Sequence, residues 1–304
     1  MSLNETLRGT GVAIITPFDA CLKVDYEALG RIIDMVIGEG VDYIVTLGTT
    51  GEAPTLDKEE KINIIEFTYE KVAKRVPVVV GIGGNNTREL ISELESFPLD
   101  NATAILSASP YYSKPSQEGI FQHYKALAQV SPKPIILYNI PGRTGRGMTI
   151  DTILRLAKGV ANIGGIKEAS GDMGLCMQIL RDRPNNFLVC SGDDGLALPQ
   201  IACGMDGIIS VAANNFPKLF SDMVKLCLAG DFTTAKNIND QLIDAYEIMF
   251  CENNPAGVKA FLATAGIIGN YLRLPLVPLS ESAHEKVKKY SAAFSRSNKV
   301  KDKA

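Results

Sequence analysis

The chain has 304 residues, 46% of them hydrophobic, ample for one large core. Its formal net charge of −3 and pI ≈ 5.6 exclude a bulk electrostatic pull toward nucleic acid or anionic lipid, and no apolar run approaches the ~20 residues of a membrane helix. Six scattered cysteines without CxxC spacing, two distant histidines (His123 and His284) and no basic-then-apolar leader suggest a cytoplasmic protein with reduced thiols and no metal site.

Apolar β-rich runs alternate with amphipathic helical patterns along the chain. Strands are expected at 11–16, 42–47, 77–82, 102–107, 134–139, 163–167, 187–191 and 207–211. Helical patterns lie between them, for example at 26–40, 58–73 and 118–130, and another follows at 217–229. PVVVGI and PIILYN are continuous rather than alternating apolar runs, as in a parallel sheet covered on both faces. This order predicts an α/β protein, a (β/α)8 TIM barrel. A doubly wound open sheet is the alternative, but the first strand leads into TPFDA and not a glycine-rich dinucleotide turn. Helical patterns at 231–251, 255–268 and 281–296 then predict a C-terminal extension, dividing the chain into a barrel (1–230) and a helical part (231–304). The closing SRSNKVKDKA is basic but has no aromatic residue for base stacking, and reads as a solvated, frayed tail.

A (β/α)8 barrel carries its reactive groups at the C-terminal ends of the strands. That rule gathers GTTGE (48–52), SPYYSKPSQEG (109–119), YNIPGRTG (138–145), Lys167, SGDD (191–194) and Ile209 on one rim. Lys167 ends the apolar run IGGIK. It is either a structural lysine, paired with an acid or reaching out to the rim, or a desolvated amine that attacks a carbonyl. Adjacent strand residues face opposite ways, which makes Glu168 a poor partner for it. GTTGE is either a plain turn or a cradle of N–H groups and hydroxyls for a carboxylate or phosphate. GIGGNN (81–86) lacks the last glycine of a dinucleotide loop. Tyr111 and Tyr112 suit an interface or the core, and Tyr138 needs a hydroxyl partner if it is buried. Arg143 is either a solvated loop charge or a fork for a carboxylate.

Together and in this order, GTTGE, PYYSKPSQEG, YNIPGRTG, GIKEASG and SGDD closely resemble the dihydrodipicolinate synthase family, within the pyruvate-dependent class I aldolases that include N-acetylneuraminate lyase. The resemblance runs from about Gly9 to Pro278. It implies condensation of pyruvate with L-aspartate-4-semialdehyde through a Schiff base on Lys167, a step of lysine and diaminopimelate biosynthesis, with no metal or separate cofactor. It further implies that Thr50 and nearby N–H groups hold the pyruvate carboxylate, that Tyr138, Thr49 and Tyr112 relay protons, and that Arg143 binds the aldehyde's carboxylate. Gly192 and Ile209 match positions lining the lysine pocket. In the family Tyr112 completes a neighbouring subunit's site, so at least a dimer is implied, and a homotetramer is common. The RTG arginine and PYYSKPSQEG favour this reaction over sialic acid cleavage or another sugar-acid aldolase. A non-catalytic pyruvate-binding barrel is the rival of a different class. Asn85, Glu89 and Tyr111 match parts of the family's lysine-inhibition pocket, where Lys58 and Lys61 replace two histidines of sensitive bacterial members. Cations there should repel a lysine ligand, so weak or absent feedback is expected.

Overall fold

A computed structural model describes residues 2–301, with side chains as far as Arg296. The first half of the chain runs α1 (Leu3–Thr6), β1 (Gly9–Ala13), α2 (Tyr26–Gly38), β2 (Tyr43–Thr46), α3 (Lys58–Val72), β3 (Val78–Gly81), α4 (Thr87–Ser96), β4 (Ala104–Ala108), α5 (Gln117–Val130) and β5 (Ile135–Asn139). The second half continues with α6 (Pro141–Thr144), α7 (Ile150–Gly159), β6 (Ile163–Glu168), α8 (Met173–Asp182), β7 (Leu188–Ser191), α9 (Ala197–Ala202), β8 (Gly207–Ser210) and α10 (Pro217–Ala229). α11 (Phe232–Phe250), α12 (Ala256–Thr264) and α13 (Glu281–Lys301) complete it. Every strand pairs in parallel with the next, and β1 also pairs with β8, closing the expected (β/α)8 barrel.

Local chemistry starts the helices. The side chains of Asp25, Asp57, Asn86, Ser116, Thr149, Asp172 and Asp231 each accept a backbone N–H from the first turn of the helix that follows. Each such cap is worth about 1 kcal/mol. Asp57 and Glu60 cap each other reciprocally at the head of α3.

The strands bury both faces, in two separate cores. Val12, Ile44, Val80, Ile105, Leu137, Ile166 and Val189 face the surrounding helices. Ala13, Val45, Val79, Leu106, Ile136, Leu188 and Ile209 fill the barrel interior together with Tyr43. A Cβ on Gly11 would lie 2.2 Å from the Tyr43 ring, so the missing side chain on β1 makes room for a large one on β2.

Several expected boundaries move, and α12 for example ends at Thr264 and not at 268. β1 was placed at 11–16 and ends at Ala13. Ile14 N–H still donates to Val45 O (3.0 Å), but the Ile15 N–H is taken by the Asn214 side chain (3.2 Å), and the chain leaves the sheet there. α13 continues through Lys301, past the expected end at 296 and into the basic stretch that was read as frayed. Residues 302–304 of that stretch lie outside the described residues. α11 packs along α10, and α12 and α13 pack against α11.

Candidate active site

The two-residue period of the strands builds the centre of the site. Ile166 on β6 faces the helices, so Lys167 faces the barrel interior and Glu168 faces out again. Lys167 is registered with Tyr138 on β5 and Cys190 on β7, which places the three in one layer. Its Nζ lies 4.4 Å from the centroid of the Tyr138 ring, and the side chain is only 4% exposed. Among the described residues no carboxylate lies within ion-pairing distance of it. Glu168 is held elsewhere. It accepts from Asn139 Nδ2 (2.7 Å) and Ser170 N–H (2.6 Å), which settles the doubt about it as a partner. Burial pushes the Glu168 carboxyl up and the Cys190 thiol up to about 12, so Cys190 is no thiolate nucleophile.

Space for the lysine comes from Gly192. A Cβ there would sit 2.7 Å from Lys167 Cε and 2.6 Å from Ala169 Cβ. Ile209 is fully buried in the interior cluster.

Beyond this layer, a cavity of ≈ 420 Å³ opens over the C-terminal ends of β2 to β5. Thr49, Tyr138 and Arg143 line it, and so do Lys61, Asn85, Glu89 and Tyr111. Residues expected for catalysis and residues expected for regulation therefore share one cavity. Thr49–Gly51 forms a single 3-10 turn after β2. The first N–H groups of such a turn have no partner within it. Thr50 is buried, and its Oγ1 accepts from Asn254 Nδ2 (3.0 Å), which leaves the hydroxyl proton free to donate. Arg143 sits in the one-turn helix α6. Its Nη2 donates to Asn254 O (3.2 Å) and Asn253 Oδ1 (3.4 Å).

Lys167, Thr50, Gly192 and Ile209 are not among the residues lining this cavity, and two more expected residues are exposed and outside it as well. Tyr112 is 88% exposed on a left-handed backbone (φ 66) and does not line the cavity. Lys58 is exposed at the first turn of α3, also away from the cavity. Nor is Lys61 the bare cation the repulsion argument needs, because its Nζ pairs with Glu93 at 2.9 Å. Sequence reasoning missed Glu93 altogether, and it missed Asn254. The Asn253–Asn254–Pro255 run, a turn signal between two helical patterns, was the available cue.

Fold and lysine together define a class, the (β/α)8 barrels with a buried lysine at the C-terminal end of a strand. Residues 6–293 match the dihydrodipicolinate synthetase family. A 4-hydroxy-tetrahydrodipicolinate synthase of Parabacteroides distasonis is 48% identical over 282 residues, 93% of this chain and 95% of that protein. The structure of the chloride-inhibited dihydrodipicolinate synthase from Acinetobacter baumannii, complexed with pyruvate, superposes with a TM-score of 0.91 at 41% identity, covering 94% of this chain and 98% of that one. The Cyanidioschyzon merolae enzyme with lysine bound gives 0.91 at 33% identity, covering 95% and 98%. The chain belongs to the dihydrodipicolinate synthetase family.

One buried carboxylate beside the site has a pH signature. Asp194, 2% exposed, accepts from Ser210 Oγ (2.6 Å), Val211 N–H (3.1 Å) and Ala212 N–H (2.9 Å), pinning the chain at the end of β8. Burial raises its pKa from 3.8 to about 6, against those hydrogen bonds and the Lys167 charge. Between these values the folded chain holds the proton more tightly than the unfolded one. Its contribution to stability is therefore full below pH 3.8 and is lost as pH rises toward 6. Urea midpoints across that window should fall with rising pH more steeply in the wild type than in Asp194→Asn. Parallel curves for the two proteins would refute the assignment.

Proposed function

We propose that this protein is a 4-hydroxy-tetrahydrodipicolinate synthase, and that Lys167, Tyr138, Thr49, Thr50 and Arg143 carry the reaction. The observation behind this reading is the inward, buried Lys167 packed on Tyr138 beneath a cavity lined by Thr49 and Arg143. The Lys167 amine attacks the keto carbon of pyruvate, and the carbinolamine loses water to give a protonated imine. That cation is the electron sink which lets the methyl group lose a proton, giving the enamine. The enamine carbon bonds to the aldehyde carbon of L-aspartate-4-semialdehyde, and the amino group of that substrate then attacks the imine carbon, closing the ring and expelling the Lys167 amine. Tyr138 and Thr49 pass protons between these steps. Thr50 Oγ1 and the leading N–H groups of its turn hold the pyruvate carboxylate, while Arg143 takes the aldehyde's carboxylate. Gly192 and Ile209 shape the lysine pocket.

Treatment with pyruvate and borohydride should add one reduced pyruvyl group to the intact mass, located on Lys167 and absent from Lys167→Ala. Tyr138→Phe should turn over on the order of 10²–10⁴-fold more slowly. Condensation with L-aspartate-4-semialdehyde should far exceed cleavage of N-acetylneuraminate. An unchanged mass after borohydride would sink this reading, and the opposite substrate preference would move the chain to a sugar-acid aldolase role.

A second chain completes the site in this scheme. Tyr112 holds a large ring out in solvent on a left-handed backbone, a costly posture that suits packing against another subunit. The working enzyme is then at least a dimer and, by family habit, a homotetramer. Sedimentation of an active preparation should show no monomer; a fully active monomer would refute the role of Tyr112.

Feedback by L-lysine is proposed to be weak, for a reason other than simple repulsion. A ligand ammonium entering beside Asn85, Glu89 and Tyr111 competes with Lys61, which already neutralises Glu93 in the same wall. A kinetic titration should show little inhibition at low L-lysine, and strong inhibition there would overturn the expectation.

A further inference from the structure

The 49–52 turn is gripped from far along the chain. Glu52 ends this turn and starts the next, with its backbone in the left-handed region (φ 54, ψ 32). A non-glycine residue keeps such a conformation only where its surroundings over-determine it. Here the surroundings are charged. The Glu52 side chain is buried, and Oε1 forms an ion pair with Lys259 Nζ on α12, itself fully buried. Oε2 accepts the Arg273 N–H at 3.2 Å. Lys259 Nζ also donates to Tyr271 O (3.0 Å) and lies 4.2 Å from the Phe18 ring centroid, while the Arg273 guanidinium lies 4.4 Å from the same centroid. Arg273 in turn pairs with Glu60 on α3 at 2.6 Å. Two residues before Glu52, Asn254 Nδ2 donates to Thr50 Oγ1. The C-terminal part thus holds the turn at residues 50 and 52, while Thr16 Oγ1 donates to the Gly51 carbonyl between them (2.7 Å).

A buried ion pair is a poor way to gain stability, since apolar residues of similar volume often serve as well. What the pair supplies is direction. A carboxylate fixed by an ammonium on one oxygen and an amide on the other leaves its backbone one orientation.

We propose that Lys259 is a positioning residue for the pyruvate site: through Glu52 it sets the turn that presents Thr49 and Thr50. This rests on reading that turn as the holder of the pyruvate carboxylate. The Lys167 side chain has no bond to this clamp, whereas Thr49 of the proton relay rides on the turn and Arg143 meets it only indirectly, through Asn254. The signature is accordingly weaker capture of pyruvate, with a smaller loss in kcat through Thr49 and the aldehyde's KM least affected.

The test compares wild type, Lys259→Arg, Lys259→Met and the double variant Glu52→Gln/Lys259→Met, which removes both buried charges and so leaves no unpaired one if the single change misfolds. Each is assayed for steady-state condensation, for the rate of borohydride trapping at sub-saturating pyruvate, and for its urea midpoint. In the double variant KM for pyruvate should rise about tenfold, the loss expected for a misplaced hydrogen bond to a charged group, with a smaller fall in kcat and KM for the aldehyde little changed. Trapping should slow in step, and Lys259→Arg should recover part of the loss. A folded double variant with wild-type pyruvate KM and trapping rate overturns the proposal. So does a loss that follows the urea midpoint alone and falls equally on both substrates. Wild-type protein that traps no pyruvate overturns the pyruvate-site reading, and this proposal with it.

Discussion

Side chains along a strand alternate between its faces, and in a closed barrel one face is the interior. Everything at the centre of this site depends on that constraint. β5, β6 and β7 are registered so that Tyr138, Lys167 and Cys190 share an interior layer, with Ile136, Gly165 and Leu188 in the layer below. A slip of one residue on β6 would turn Lys167 out among the helices and bring Ile166 and Glu168 inside. The hydrogen bond from Asn139 to Glu168, on the outer side of the same two strands, opposes that slip. Packing and chemistry thus rest on one register.

The buried charges divide by how each is satisfied. Glu168 and Asp194 are carboxylates met by neutral donors, and each secures the exit of a strand. Lys259 and Glu52 satisfy each other, though burial still lowers Lys259 to about 8 against the pull of its partner. Lys167 alone of these has no ion-pair or hydrogen-bond partner among the described residues, its recorded contact being the face of Tyr138. The first four are fixed by their bonds. Lys167 is placed by register and by the space that Gly192 leaves.

Much of this was legible in the sequence, because it is local or periodic. Apolar runs gave all eight strands, and the helical patterns at 58–73 and 118–130 correspond to α3 and α5. The barrel rule then put Lys167, Tyr138, Thr49 and Arg143 at one end without any contact being known. What stayed hidden depends on residues distant in the chain. The end of β1 is set by Asn214, and the Thr50 hydroxyl is engaged by Asn254. The charge of Lys61 is cancelled by Glu93, and no reading of α3 alone shows that. Lys259 is a different omission. A lone lysine in the apolar stretch AGVKAFLAT is the same signal as the lysine ending IGGIK, and the strand-end rule directed attention to only one of them.

Closure through β1 and β8 also fixes an order of events during synthesis. The first strand is hydrogen-bonded to the last, so an emerging chain cannot complete its sheet until residues 207–210 have left the ribosome. Until then β1 and β8 lack each other as partners, an exposure that non-local pairing prolongs. The 49–52 turn waits longer still, since Asn254, Lys259 and Arg273 are made after the barrel can close. Chain order thus allows a nascent chain its full set of strands before the residues of its clamp exist, so the 49–52 loop is denied its final bonds until the C-terminal helices have been made.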